Sequence, residues 1–516
     1  MSVPEEIRAV KRPKNTIVED RGRDGPKRYA VRERGAIKYV PGKNPQPHNG
    51  KVIGHIINGK YVPLAESKTL ESSSSKPDML SYGSSSLIKS VSDDLLDDLL
   101  KVYDPVKAFT IIAIASLKVL RPGTTARRMS THYNRTYISI YYPGASISQN
   151  SIGNLYNDIG SDGCKRKAFY EHRMKSVSAK HHIAIDGMLK QNTSTVNDLS
   201  AYSYKAKKKG IKEISVLYAY DIERMEPICA EVFPGNCIDA SAYASFIRDN
   251  DVKSGIIVAD KGFPPSKIND ELKKRPNLHF LTPIKRNDKR ITNNNMMEFQ
   301  GVLEGVAENI RYCKKRIQGG NYLYAFRDAD LAAKEETTRL KKAKKTKDYN
   351  DQSFSKKEKT FGLIVLESDL DLEPIVAYKT YSDRWLLELI FKRYKSDECL
   401  DLTNNQGDFS VIGAEFVNFI STVITARVVK KIEDAELLID ESYADVMDDL
   451  SSAWRKTSAP LTLPDTNDEY WVHTNNNVFE VLEKLGLSKP IPKPESKKMA
   501  DHLRNQVRTL LREAKD

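Results

Sequence analysis

The pattern of apolar and polar positions changes character along the chain. Residues 1 to about 90 are mostly polar, rich in Lys, Arg, Pro and Gly, and close on the serine-rich stretch ESSSSKPDMLSYGSSS, a linker by composition. Within them KVIGHIINGKYVPL predicts a hairpin turning at Asn58 and Gly59, but no packed domain is expected. From about Ser92 to Tyr170 the apolar spacing is helical. Val106 to Leu120 is the clearest segment, and SISQNSIGNLYNDIG predicts a second helix capped by Ser148. The intervening TTARRMSTHYNRTY leaves two readings open, a helix-turn-helix and ordinary helical packing.

The centre reads differently. HHIAIDGML, ISVLYAYD and PICAEVF are short runs rich in β-branched or aromatic residues and predict three strands. SAYASFIRD then reads as a helix, GIIVAD as a buried strand, PPSKINDELKKR as a helix opened by proline, and LHFLTPI as a strand. Three consecutive strands followed by alternation predict an α/β fold, a mixed sheet with helices packed on it, as in a ribonuclease H-like core. After Ile284 the alternation stops. Residues 286 to about 376 mix loops, the strands NYLYAFRD and FGLIVLES, and the basic run RLKKAKKTK, and read as a β-rich insertion. Beyond it come an apolar helix in AEFVNFISTVITARVV, an acidic segment and a basic tail. The expected organisation is a polar N-terminal region with its linker (1–90), a helical and conceivably DNA-binding region (91–175), the mixed-sheet core (176–430), and a C-terminal helical region (431–516).

One predicted helix, YSDRWLLELIFKRYK, carries a glutamate inside an apolar run. At about 100° per residue, Tyr381, Arg384, Glu388, Lys392 and Lys395 fall on one face, while Leu386, Leu387, Ile390 and Phe391 cover much of the rest. Such a stripe is either a solvated face or a site.

Charge narrows the choice of partner. The chain's 82 Lys and Arg outnumber its 69 Asp and Glu, giving a net charge of +13, and an excess of this size favours a polyanion, nucleic acid before a membrane surface. No apolar run in the sequence approaches the roughly 20 residues that span a bilayer, and the first residues lack the apolar core of a secretory signal. Cys164, Cys229, Cys237, Cys313 and Cys399 have no paired spacing, which argues against a disulfide framework or a zinc cluster and for a reducing compartment. His181 and His182, adjacent in a strand, point to opposite faces and would not chelate one metal together.

The candidate chemistry lies in carboxylates. Two predicted core strands end in aspartate, Asp186 and Asp260, and a carboxylate there needs a cation, a helix N-terminus or a metal. Either alone reads as a turn or cap residue. With Glu388 they form an oxygen-only set suited to Mg²⁺ or Mn²⁺. Two such ions about 4 Å apart can activate water or a 3′-hydroxyl and stabilise the leaving oxygen of an in-line phosphoryl transfer. The cations around Glu388 would then clamp phosphate.

These residues resemble the DDE transposases of prokaryotic insertion sequences, the insertion-sequence-four-type group with a Tyr-Arg-Glu-Lys signature. Tyr381, Arg384, Glu388 and Lys395 reproduce its spacing, and DGM at Asp186, PGN at Pro234 to Asn236, ADKGF at Asp260 and VIGAEFVNF after the glutamate accompany it in order. Lys261 stands where arginine is more usual. The resemblance covers roughly residues 95 to 430. It implies a ribonuclease H-like catalytic domain with a β-rich insertion, consistent with the roughly 130 positions between Asp260 and Glu388. It further implies metal-dependent cleavage at element ends and strand transfer into target DNA. Asp186, Asp260 and Glu388 become ligands of two Mg²⁺ or Mn²⁺ ions, and Tyr381, Arg384, Lys392 and Lys395 DNA contacts. The partners would be terminal inverted repeats and target DNA, bound by a homodimer, in a prokaryotic cytoplasm at the nucleoid. Two alternatives stay open on the sequence: a DNA-binding protein descended from a transposase but catalytically inactive, and a nuclease that cuts without joining. A glycosidase also uses paired carboxylates, but fits poorly with the basic charge.

Overall fold

The structure, a computed structural model, describes all residues except 1–2, 23–24, 26–27, 36–48, 64–77, 193, 204–209, 238, 260–269, 306, 347–350, 385–390, 393, 395–399, 401, 460–470, 474–476 and 488–516. Two compact units divide at residues 79 and 80.

The first unit contains a four-stranded antiparallel sheet in the order β1 (Thr16–Asp20), β2 (Tyr29–Arg34), β3 (Asn49–Ile57), β4 (Lys60–Pro63). The predicted hairpin is its β3–β4 turn. Asn58 and Gly59 have φ of 50° and 72°, both in the left-handed region that a tight two-residue hairpin requires. The packed sheet around it departs from expectation. Its charges pair with one another, as Arg32 Nε does with Glu19 Oε2 at 2.6 Å, leaving Ala30, Val31 and Ile56 buried. A segment that reads as polar therefore still has an interior.

The second unit is built on an eleven-stranded mixed sheet. Its strands are β6 (His182–Asn192), β7 (Ala201–Tyr202), β8 (Lys212–Asp221), β9 (Glu226–Pro234), β10 (Ser254–Ala259), β11 (Asn277–Pro283), β12 (Gly301–Leu303), β13 (Ala307–Arg316), β14 (Tyr322–Asp328), β15 (Leu363–Ser368) and β16 (Leu402–Thr403). The order is β12-β13-β14-β15-β11-β10-β6-β8-β7, with β9 on β8 and β16 on β6. β10 runs parallel to both β6 and β11, while β6, β8 and β9 form an antiparallel meander. The predicted insertion does not fold apart from the core. β15 pairs antiparallel with β11, so β12–β15 continue the same sheet. The basic run in this region lies on a helix, Ala329–Thr346.

The helical region forms as the periodicity predicts, including Pro105–Leu120 and Gln149–Ser161. Ser148 caps the latter by accepting a hydrogen bond from the Ser151 N–H at 3.1 Å. Both helices pack on Asp408–Asp434, a 27-residue helix whose most apolar window is 83% buried. It is long and apolar enough to span a bilayer, contrary to the sequence expectation, but serves as the core helix. Its crossing with Gln149–Ser161 is set by two glycines. A Cβ on Gly413 would lie 1.9 Å from the Tyr156 carbonyl oxygen, and one on Gly160 would lie 1.8 Å from that of Phe409. Since backbone cannot yield as a side chain can, Gly413→Ala is expected to cost about 3 kcal/mol, at the upper end of overpacking penalties, read as a loss of thermal stability with the helix content retained.

The C-terminal part is not wholly helical. β17 (Ala453–Lys456) pairs with β18 (Trp471–His473) and with β5 (Met79–Ser81) in a small sheet, which sequence alone does not reveal because β5 and β17 are more than 370 positions apart. A buried ion network ties the helices to the core sheet. Glu226, at the start of β9, accepts from Arg173 Nη2 at 3.0 Å and from Arg427 Nε at 2.5 Å, and Arg427 reaches Asp94.

Candidate active site

The sequence ends its strand at Asp186, but β6 continues to Asn192, so the aspartate lies mid-strand opposite Tyr218 of β8. The strand outlasts its apolar run because Lys190, which reads as a surface residue, is buried and paired. Among the described residues, Asp186 nevertheless lies beyond the last pair between β10 and β6. β10 follows β6 only to the pair Ala259↔Ile185, and β16 resumes the parallel pairing at Leu402↔Gln191. Along that edge, no strand among the described residues covers the stretch between. Ile183, Ala184 and Ile185 are buried, while Gly187 is exposed and the Asp186 side chain is 24% exposed.

The carboxylate has a cation beside it. Arg384 Nη1 lies 3.5 Å from Asp186 Oδ2, and Asp186 Oδ1 accepts from the Gly187 N–H at 2.8 Å. The Arg384 guanidinium is also 5.8 Å from the Tyr381 ring centroid. Three residues nominated from the sequence thus come together. The helix bearing them begins earlier than predicted, at Pro374, whose fixed φ suits a first helical position, and runs to Asp383. Arg384 follows with helical angles.

Further contacts extend along β6. His182, Asp186 and Lys190 are spaced four apart and so share one strand face. His182 Nε2 lies 3.3 Å from Thr380 Oγ1, while Lys190 Nζ donates to Tyr394 OH at 2.9 Å and to Glu415 Oε1 at 2.5 Å. Tyr218, beside Asp186, packs against Phe391 and Tyr394 with ring centroids 5.8 and 6.3 Å away. Lys392 is exposed. Asp260, Glu388 and Lys395 lie outside the described residues.

His181 lies just before β6 and His182 is its first residue, and both imidazoles meet acids at the end of β8 and in the turn after it. His181 Nδ1 is 2.8 Å from Asp221 Oδ2, and His182 Nδ1 is 2.6 Å from Glu223 Oε1. Burial raises the Glu223 carboxyl, but its hydrogen bonds with His182 outweigh this and hold it below the ordinary range. His181, Asp221 and Glu223 bring ligand atoms within 4.8 Å of one another, close enough to hold an ion. Their signal in the sequence is the acidic turn DIERME facing two histidines.

In the basic run KRNDKR, residues 285–290, Arg286 is bidentate to Glu335 at 2.7 and 2.9 Å, and Arg290 is paired with Asp288 and Glu367. Those cations are committed within the protein. Lys341 and Lys342 on Ala329–Thr346 are exposed, and residues 204–209 lie outside the description.

Residues 178–404 match the family described as Transposase DDE domain, which supports a DDE transposase. Among solved structures, a piggyBac transposase synaptic complex with hairpin DNA is similar at 11% identity and a TM-score of 0.38, over 72% of this chain and 77% of that one. A Mos1 transposase paired-end complex with left transposon end is similar at 12% identity and a TM-score of 0.14, over 31% and 54%. The comparison with curated proteins found no match.

Proposed function

We propose that the protein is the transposase of an insertion sequence of the insertion-sequence-four-type group, with a ribonuclease H-like core. It binds the terminal inverted repeats, cleaves DNA there and joins the ends to target DNA by two-metal-ion phosphoryl transfer, as a homodimer. The observation that carries this reading is the register around Asp186. Ala259, the residue before Asp260, pairs with Ile185, the residue before Asp186. Glu388 lies in sequence between Arg384, which meets Asp186, and Tyr394, which meets Lys190 four residues further along β6. The described neighbours of all three carboxylates in the sequence thus meet one short stretch of β6, which supports the reading.

Asp186 offers a hard oxygen donor at a partly exposed position, so the described part of the donor set fits Mg²⁺ or Mn²⁺. Asp186, Asp260 and Glu388 would hold them. Once bound, such ions activate the attacking oxygen and stabilise the leaving one. The protein's own groups do the orienting. Arg384, within ion-pair distance of Asp186, would stand beside a phosphate brought to that carboxylate and can grip it in a fixed plane. Tyr381 supports the guanidinium from its ring face. Lys392 and Lys395 would contact the DNA strand as point charges.

The test is cleavage and joining of duplexes carrying the repeats that flank the gene. Mg²⁺ or Mn²⁺ is expected to support both steps, and Ca²⁺ binding with little chemistry. Binding without cleavage in either active metal would assign the inactive DNA-binding alternative, and cleavage without joining a nuclease. Arg384→Lys keeps the charge but loses the planar fork. Its single-turnover rate is expected to fall roughly tenfold, about 1.4 kcal/mol in activation free energy, with duplex affinity unchanged.

A further inference from the structure

Lys190 and Glu415 are both buried to 2% side-chain exposure and meet at 2.5 Å. Burying two charges is costly, and such a pair can often be replaced by packed apolar residues with no loss of stability. A buried pair is therefore weak evidence of a stabilising role, and the network it belongs to suggests another one. Tyr394 OH accepts from Lys190 Nζ at 2.9 Å and donates to Glu415 Oε2 at 2.5 Å. Asn418 Nδ2 donates to Glu415 Oε1 at 3.1 Å, and Asn418 Oδ1 accepts from Lys118 Nζ at 2.6 Å. The phenol is thus held from β6 on one side and from the core helix Asp408–Asp434 on the other.

We infer that Lys190, Glu415 and Tyr394 are positioning residues that, together with His182 and Thr380, hold Arg384 and Tyr394 in place along β6. The contacts follow one another in chain order: Thr380 at His182, Arg384 at Asp186, Tyr394 at Lys190. All three strand residues share one face, so a clamp stands four positions to either side of Asp186. The upstream clamp is braced in turn, since Glu223 accepts from both the His182 backbone N–H at 2.8 Å and its ring. A slip of the helix Pro374–Asp383 by one residue would rotate Arg384 away from Asp186 by about 100°. Hydrophobic packing alone, being non-directional, resists such a slip less than two hydrogen-bonded clamps do.

This inference rests on the proposed active site, and its test separates the two. Three properties of the full chain are measured for wild type, Lys190→Met with Glu415→Leu, Tyr394→Phe and Thr380→Val: thermal midpoint, hydrogen exchange of peptides covering 378–384 and the amide of Tyr394, and single-turnover cleavage. The double variant is expected to melt at or above the wild-type midpoint, while Tyr394 exchanges at least tenfold faster and cleavage slows at least tenfold. Tyr394→Phe, which removes one hydroxyl, should change exchange and cleavage in the same direction and covers the case of a double variant that does not fold. In a double-mutant cycle Thr380→Val should be non-additive with Arg384→Lys in cleavage. Wild-type exchange and cleavage in both the double variant and Tyr394→Phe would overturn the clamp. A wild-type chain that cleaves nothing would overturn the transposase reading, and hydrogen exchange would still decide the clamp.

Discussion

Asp186→Ala is expected to abolish cleavage of a terminal-repeat substrate, by at least a thousandfold or about 4 kcal/mol, while leaving duplex affinity close to wild type. The direction follows from what surrounds the carboxylate. On the β10 side, no strand among the described residues covers β6 there, and Arg384 lies 3.5 Å away, so its removal would take away both a proposed metal ligand and the counter-charge of the guanidinium. The neighbouring backbone is anchored by the Ile185↔Ala219 and Gly187↔Leu217 pairs, and the strand should persist. On the proposed reading, duplex affinity would rest on phosphate contacts distributed over the basic surface, to which a lost acid does no harm. Asp186→Asn keeps the shape and hydrogen-bonding capacity but weakens metal binding, and should fall nearly as far. Single-turnover cleavage beside equilibrium binding decides it. Cleavage by Asp186→Ala near the wild-type rate would remove this residue from the site.

Glu226→Gln should cause the largest loss of stability among single substitutions at charged sites, about 3 kcal/mol, because it strands a buried guanidinium. Arg173 is 2% exposed and its Nη2 donates to Glu226, whose carboxylate also receives Arg427 and Arg224. The network joins four elements, so no single one can move to relieve the unpaired charge. The same carboxylate predicts the response to acid. Burial raises Glu226, but the Arg427 hydrogen bond and the charges of Arg173, Arg427 and Arg224 outweigh it and hold it below the ordinary range. Asp94, paired with Arg427, is lowered likewise despite its own burial. A carboxyl lowered in the folded state adds stability in full above its unfolded value and loses it as pH falls through the folded value. The urea midpoint of wild type should therefore decline below about pH 4.5, and that of Glu226→Gln should decline less steeply.

Much of the architecture was legible because apolar spacing reports directly on which face is buried. The strands at His182, Lys212 and Glu226, the hairpin at Asn58 and the cap at Ser148 all follow from local patterns in the sequence. What escaped depends on partners far away in sequence. β6 runs past Asp186 because Lys190 finds Glu415, 225 positions on, and a lone lysine in a strand gives no hint of that. The first unit's sheet hid behind charges that pair with one another. In the site, Asp186, Tyr381 and Arg384 could be nominated from residue type and spacing. His182, Lys190 and Tyr394 could not, since their roles exist only in contacts across the fold. VIGAEFVNF could be recognised as a motif without its cause, which is the backbone approach at Gly413 together with the buried Glu415.

The pairing of β5 with β17 bears on how the protein can be trimmed. Tyr82 N–H donates to the Ala453 carbonyl at 2.8 Å, Tyr137 OH donates to the Lys456 carbonyl at 2.6 Å, and the Arg455 guanidinium rests 4.9 Å from the Tyr82 ring centroid. Sequence near position 80 and sequence near position 455 are therefore neighbours, fastened like the two halves of a clasp. A truncation ending before Ala453, drawn by eye as the removal of a variable tail, would instead unzip the front of the helical region and bare Tyr82, Leu87 and Ile88 to water.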